Sequence, residues 1–324
     1  METNIEIEEK SANPFPFSNL FLLKGYITGK NEFWQYLLGI VAAILGYSSV
    51  QFIVAKPLIN FAANNGVHIN EKNLTNIFNA DYIGFNRTLM LIIMCSMFLF
   101  AIIFLWIVLK YVHKKQFISV ITGFEKIRWN RYFFSFLIWS ILTITFVLIG
   151  YFNSPQDYQI SFNTQKFIPL LIVAIIFIPI QTATEEIFLR SYLLQGFSLI
   201  FKNGIIPLII ISIIFGLMHG TNPETKAHGI FVMMPYYILF GAFLGMLTLL
   251  DEGAELAMGI HCANNLVTSL LVCSKNSVLQ TDAILYTTSE DPSGEFISWG
   301  IMAAICFFIL FKKYKLSNWK LLIR

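Results

Sequence analysis

Charge is what this chain has least of. Lys, Arg, Asp and Glu make up 13% of its 324 residues, against 56% hydrophobic residues and a mean hydropathy of +0.66. That much apolar surface exceeds what a soluble core can hide, so lipid is the expected solvent for most of it. The net charge of +3 is small and makes no case for nucleic acid as a partner. Cysteine is also scarce. Cys95, Cys262, Cys273 and Cys306 all fall in or beside apolar runs without a CxxC pair, which points to helix packing and not to a disulfide framework. The start, METNIEIEEK, carries Glu2, Glu6, Glu8 and Glu9 where a secretory signal needs basic residues, so none is expected. Neither an internal repeat nor a low-complexity tract is visible, which removes the positive case for a transporter of duplicated halves.

What is present is a series of apolar runs long enough to cross a bilayer as helices. They lie near Phe33 to Val54, Thr88 to Val112, Tyr132 to Tyr151, Phe167 to Arg190, Ile205 to His219, Ile230 to Leu250, Ala254 to Cys273 and Ile297 to Phe311. The expectation is an all-α integral membrane protein of about eight transmembrane helices. The run SYLLQGFSLIF after Ser191 is apolar enough to lengthen the fourth helix.

Lys110, Lys114, Lys115, Lys126, Arg128 and Arg131 join spans two and three, and Lys312, Lys313, Lys315, Lys320 and Arg324 follow span eight. Basic loops stay in the cytoplasm, so both termini are expected there. The segments Ala55 to Arg87 and Ser274 to Ser298 are then outside, the second acidic through Asp282, Glu290, Asp291 and Glu295.

Ionisable groups at membrane depth are costly and therefore functional candidates. FIPIQTATEEIFLRSYLL holds Glu185, Glu186 and Arg190; IIFGLMHG holds Phe215 and His219; LAMGIHCANNLV holds His261, Asn264 and Asn265. Residues four apart share a helix face, so Glu186 can pair with Arg190 and leave Glu185 free to act on water. The same spacing sets His261 beside Asn265 and Phe215 against His219. Counted from the Lys202 to Gly204 turn, Glu185 and His219 reach similar depth. Counted from Asp251 to Gly253, His261 falls roughly 10 Å short at the helical rise. Pro179, just before Glu185, permits a kink. Gly241 and Gly245 form a GxxxG face, expected to pack within the bundle.

EEIFLR, FGLMH and HCANN fit the patterns EExxxR, FxxxH and HxxxN, in that order on successive apolar helices. The set resembles the CPBP family of CAAX-protease and bacteriocin-processing membrane proteins, also called Abi, over Phe167 to Cys273. The resemblance implies an intramembrane endopeptidase without a covalent intermediate or a cofactor, acting on a membrane-associated protein or peptide. It also implies the roles. Glu185 activates water with help from His219, His261 and Asn265 polarise the carbonyl and steady its oxyanion, and Glu186 and Arg190 support them. The chain then divides into a cytoplasmic segment 1–32, three helices and their loops over 33–166, the catalytic core 167–275, and an outside loop, last helix and basic tail over 276–324. A bacterial plasma membrane is the expected setting.

Three other readings remain. Zinc held by one Glu and two His is the nearest, although HExxH is absent and the three lie on separate helices. A non-catalytic membrane scaffold or immunity protein would keep the bundle and bind a peptide. A proton-coupled transporter would relay protons through the buried Glu and His. Serine and aspartate proteases fit poorly: GYSS at Gly46 to Ser49 has no partner and GxGD is missing. Cys262 points away from its neighbour His261 on a helix.

Overall fold

The computed structural model describes residues 17–71 and 73–323. The acidic Glu2, Glu6, Glu8 and Glu9 and the terminal Arg324 lie outside the described residues. A short helix α1 (Leu20–Ile27) precedes the long α2 (Phe33–Asn64). There follow α3 (Ala80–Ile83), α4 (Arg87–Tyr111), α5 (Ile118–Ile121) and α6 (Trp129–Asn153). Helix α7 (Thr164–Glu186) continues through a π-helical stretch, Ile187–Leu193, into α8 (Leu194–Phe201). The rest comprises α9 (Ile205–Met218), α10 (Pro223–His228), α11 (Ile230–Leu250), α12 (Glu255–Leu271) and α13 (Pro292–Tyr314).

Among the described residues six helices are long and apolar enough to cross a membrane: α2, α4, α6, the α7–α8 rod, α11 and α13. The remaining two expected spans exist but are short. At the helical rise α9 is about 21 Å long and α12 about 26 Å, against a hydrocarbon layer of about 30 Å. Both carry candidate site residues: α9 ends at a cavity, and α12 runs along the wall of the same cavity from His261 onward. The outward faces stay apolar, with Ile44, Leu45, Phe52, Ile172, Ile176 and Phe231 exposed, as lipid contact requires. The fold is thus an all-α integral membrane protein, with one small addition that the apolar pattern does not announce. Strands β1 (Tyr158–Ile160), β2 (Val272–Ser274) and β3 (Leu285–Thr287) form a sheet in the order β1-β3-β2, antiparallel then parallel.

The connections gather at two ends. At the basic end, α1, the 112–128 segment, the turns at 202–204 and 251–254 and the C-terminal stretch touch one another. Asn19 Nδ2 donates to the Leu249 and Leu321 carbonyls at 2.9 and 3.0 Å, and the Gly123 N–H to the Glu252 carbonyl at 3.0 Å. Arg128 grips Glu255 through two nitrogens at 3.1 and 2.7 Å and also reaches Asp251 at 2.9 Å, fixing where α12 begins. At the opposite end Arg87 forks onto Asp81, both contacts 2.7 Å, and donates to the Thr281 carbonyl. There Asn86 and Asn163 cap α4 and α7 by accepting from the Leu89 and Lys166 N–H groups.

Close helix approach is local and specific. A Cβ at Gly259 would overlap the Ser135 hydroxyl and the Tyr132 carbonyl, so α12 lies directly on α6. A Cβ at Gly241 would stand 3.2 Å from Ser212 Cα, and one at Gly245 would overlap the Leu208 side chain. The GxxxG face therefore packs on α9 inside the bundle, as expected.

The basic end holds a buried amine. Lys115, in the loop after α4, is 6% exposed and donates to the Gly25 carbonyl at 2.8 Å and the Tyr36 hydroxyl at 3.1 Å. Burial pushes its pKa down to about 7. A lysine whose folded value is depressed costs most stability below that value, and the cost fades as pH rises toward the unfolded value. Detergent-solubilised protein is therefore expected to melt at higher temperature as pH rises from 7 toward 10, and Lys115→Met to flatten that slope. An unchanged slope in the variant would remove Lys115 as its source.

Candidate active site

The site begins one turn before the paired glutamates. Thr182 Oγ1 donates to the Ile178 carbonyl at 3.1 Å, and Gln181, Glu185 and Glu186 are all buried in the last turns of α7. Gln181 Nε2 donates to Glu185 Oε1 at 2.5 Å, while its own oxygen accepts from Asn265 Nδ2 at 3.0 Å. One amide thus ties the carboxylate on α7 to the asparagine on α12.

Glu186 faces elsewhere, as the 100° step between neighbours dictates. Its Oε1 accepts from Arg190 Nη1 at 2.9 Å, the expected pair four residues apart, and lies 2.7 Å from His261 Nδ1. Both members of the pair are fully buried, and the guanidinium sits 4.1 Å above the Phe215 ring. His261 straddles the two carboxylates. With Nδ1 on Glu186, its Nε2 stands 3.7 Å from Glu185 Oε2 and 3.5 Å from Asn265 Nδ2. The π-helical stretch starts immediately after Glu186 and contains Arg190. Such widened turns are frequent at functional sites because they re-aim side chains.

The depth expected to separate His261 from Glu185 does not do so, because the last turns of the long rod add no depth. Tyr192 already donates to the Gln35 and Tyr36 carbonyls and meets His113 at 2.9 Å; Gln195 donates to the Phe21 and Ser119 carbonyls. These partners belong to the basic end. Tyr192 and Gln195 thus already stand at that end, and Glu185 is nearer to it than a count from Lys202 implies.

His219 follows the last residue of α9 as its C-cap, with φ −93° and ψ 0°. Its ring lies 4.4 Å from that of Phe215 and stacks at 4.3 Å on Tyr237, and its Nδ1 sits 2.8 Å from the Phe215 carbonyl. The wall that Phe215 was expected to form is there. No hydrogen bond joins His219 to Glu185 among the described residues; the two share one cavity instead. That cavity holds about 1370 Å³ and is lined by Gln181, Glu185, His219, His261 and Asn265 among others. Glu186 and Arg190 lie behind its floor.

Three contributors had no role in the sequence reading. Gln181 had a signal: it is a polar group in an apolar span, one turn before Glu185. Trp139 had none, yet its indole donates to Asn264 Oδ1 at 3.2 Å, and Asn264 Nδ2 donates on to Asn265 Oδ1 at 3.1 Å. Tyr237, which donates to Glu224, was equally silent. Cys262 points away from the cavity, as helical spacing required, and the four cysteines are free and buried. Among the described residues no group of three His, Cys, Asp or Glu side chains is placed to hold a metal ion.

Residues 164–267 match the family model described as type II CAAX prenyl endopeptidase Rce1-like. The matched stretch runs from the first turn of α7 past Asn265, and so takes in every candidate residue. The chain is also similar to the uncharacterized protein YyaK of Bacillus subtilis (strain 168), with 31% identity over 266 residues that cover 82% of this chain and 86% of the relative. No solved structure matches. A likeness that spans most of both chains, together with a family model seated on the three motif-bearing helices, shows that this integral membrane protein belongs to the CPBP family of Rce1-like, CAAX-type proteases.

Proposed function

We propose that the chain is an intramembrane endopeptidase of a bacterial cell membrane, in which Glu185 activates the hydrolytic water. The observation that carries this is the placing of Glu185: its carboxylate is buried at the cavity floor, and Oε2 has no hydrogen-bond partner. A buried acceptor left unpaired is costly and calls for a ligand such as water. Glu185 takes a proton from that water as the oxygen attacks the scissile carbonyl, and returns it to the departing amine.

Two groups face the developing oxyanion. Asn265 Nδ2 has one hydrogen committed to Gln181 and another directed toward the gap beside His261. The distances of 3.5 and 3.7 Å around His261 Nε2 exceed ordinary hydrogen bonds, so these groups are free to turn to a substrate oxygen seated beside them. With Nδ1 held at Glu186, His261 presents Nε2 to the same gap. Fixed donors in a low-dielectric cavity stabilise an oxyanion more than water does. His219, with Nδ1 occupied by the Phe215 carbonyl, keeps Nε2 for the water or the leaving group.

Membranes from cells making wild type or Glu185→Gln protein at equal level provide the test, with peptide termini mapped by mass spectrometry. Termini present only with wild type are the expected result. A biological effect that persists in Glu185→Gln, without wild-type-dependent termini, would establish a binding role instead. Cleavage lost on chelation and restored by zinc would replace the metal-free scheme.

A further inference from the structure

The cavity occupies only one half of the bundle. Along α4 its lining stops at Leu105, along α6 it starts at Thr143, along α12 it starts at His261, and along α13 it stops at Met302. All four limits fall on the same side, away from the basic end. No residue of α1, α5 or α8 lines it. Its floor is closed by the buried Glu186–Arg190 pair and by Trp139, which is fully buried against Asn264. From Glu185 the wall rises past Thr268 to Asp157, Tyr158, Ser274, Ser289 and Glu290, which sit in the loops and strands of the opposite end.

The two ends differ in charge. Lys114, Lys115, Lys126, Arg128, Lys202, Lys315 and Lys320 occupy the segments at the closed end. The connections and helix starts at the open end carry Glu71, Asp81, Asp157, Glu224, Asp282, Glu290 and Asp291, with Arg87, Lys166, Lys226 and Lys275 as the basic residues. Basic segments are retained in the cytoplasm while acidic ones have little say, so the closed end is the cytoplasmic one.

From these two asymmetries we infer that the site is loaded from the extracytoplasmic face, its substrate being a peptide segment exposed outside the cell or at the outer leaflet. The inference rests on the proteolytic reading for the word substrate, but its geometry does not. A cytosolic tail would meet the floor behind Glu186, whereas water and an extended chain from outside reach Glu185 without passing charged cytoplasmic loops. Peptide hydrolysis needs both at one place, and a cavity of about 1370 Å³ accommodates a segment of several residues.

Thiol accessibility tests the inference without cleavage or a known substrate. Single substitutions Thr268→Cys on the cavity wall, Ser289→Cys at its mouth and Lys126→Cys in the basic loop are each made in the full chain. Cells and inverted vesicles are treated with a membrane-impermeant trimethylammonium thiosulfonate, and the modified peptides are quantified by mass spectrometry, so that the native cysteines need not be removed. In intact cells Thr268→Cys and Ser289→Cys are expected to react on the order of tenfold or more faster than Lys126→Cys, with the order reversed in inverted vesicles. Thr268→Cys reacting only in inverted vesicles overturns the inference, and so does protection of Thr268→Cys on both sides while Ser289→Cys reacts. If Thr268→Cys does not accumulate in the membrane, Ser277→Cys, also on the cavity wall, replaces it under the same criteria. Absence of wild-type-dependent termini in the Glu185→Gln comparison would sink the proteolytic reading and leave these labelling results unchanged, so the two readings fail separately.

Discussion

Glu185→Gln is expected to lower cleavage by about 10²–10⁴-fold, the usual contribution of a positioned general base. Membrane level and melting temperature should stay near wild type. The reason is local. Oε1 already accepts from Gln181, and an amide oxygen can keep that bond, while Oε2 has no partner to lose. What disappears is the ability to hold a proton between attack and departure of the amine. Glu185→Asp tells base from mere acceptor, because it keeps the carboxylate and draws it back by one methylene. Activity between that of wild type and that of Glu185→Gln is expected from it. Substrate cleaved at wild-type rate by well-folded Glu185→Gln protein would remove Glu185 from the reaction, leaving Glu186 without the access to take its place, since it lies behind the floor.

Much of this was legible in the sequence because hydropathy and helical spacing speak directly about membranes. The apolar runs marked the helices, and four-residue spacing named the Glu186 and Arg190 pair. The EExxxR, FxxxH and HxxxN patterns marked the helices that converge. Depth was not legible, since counting residues from a turn assumes that each turn lies at the surface and that each helix runs straight through. The π-helical stretch and the contacts that Tyr192 and Gln195 already make at the basic end break that assumption. Long-range pairs were also hidden. Nothing in one sequence couples Trp139 to Asn264, 125 positions apart, or tells which half of the bundle stays empty. The lining residues of the cavity lie toward the end away from the basic loops, which no count along the sequence announces.

The largest loss of stability is expected from Arg190→Met. Glu186 Oε1 is held between Arg190 Nη1 and His261 Nδ1, its Oε2 has no partner, and neither it nor Arg190 has measurable exposure. Removing the cation strands a buried carboxylate, a change that costs about 3–5 kcal/mol. Poor accumulation in the membrane and a lower melting temperature in detergent should follow. The double variant Glu186→Gln, Arg190→Met leaves no charge to strand, so much of the stability should return. Activity should not return with it. His261 Nδ1 would face a neutral amide oxygen, and the imidazole would lose the carboxylate that orients it between Glu185 and Asn265. Arg190→Lys should recover less than the double variant, because an ammonium lacks the planar fork and its stacking on Phe215. Thermal unfolding of the four proteins, with cleavage of the substrate found by terminus mapping, separates the outcomes. If Arg190→Met melts with wild type, the pair contributes nothing to the fold. If the stable double variant cleaves normally, the Glu186–His261 contact has no part in catalysis, and Glu185 must work with His219 and Asn265 alone.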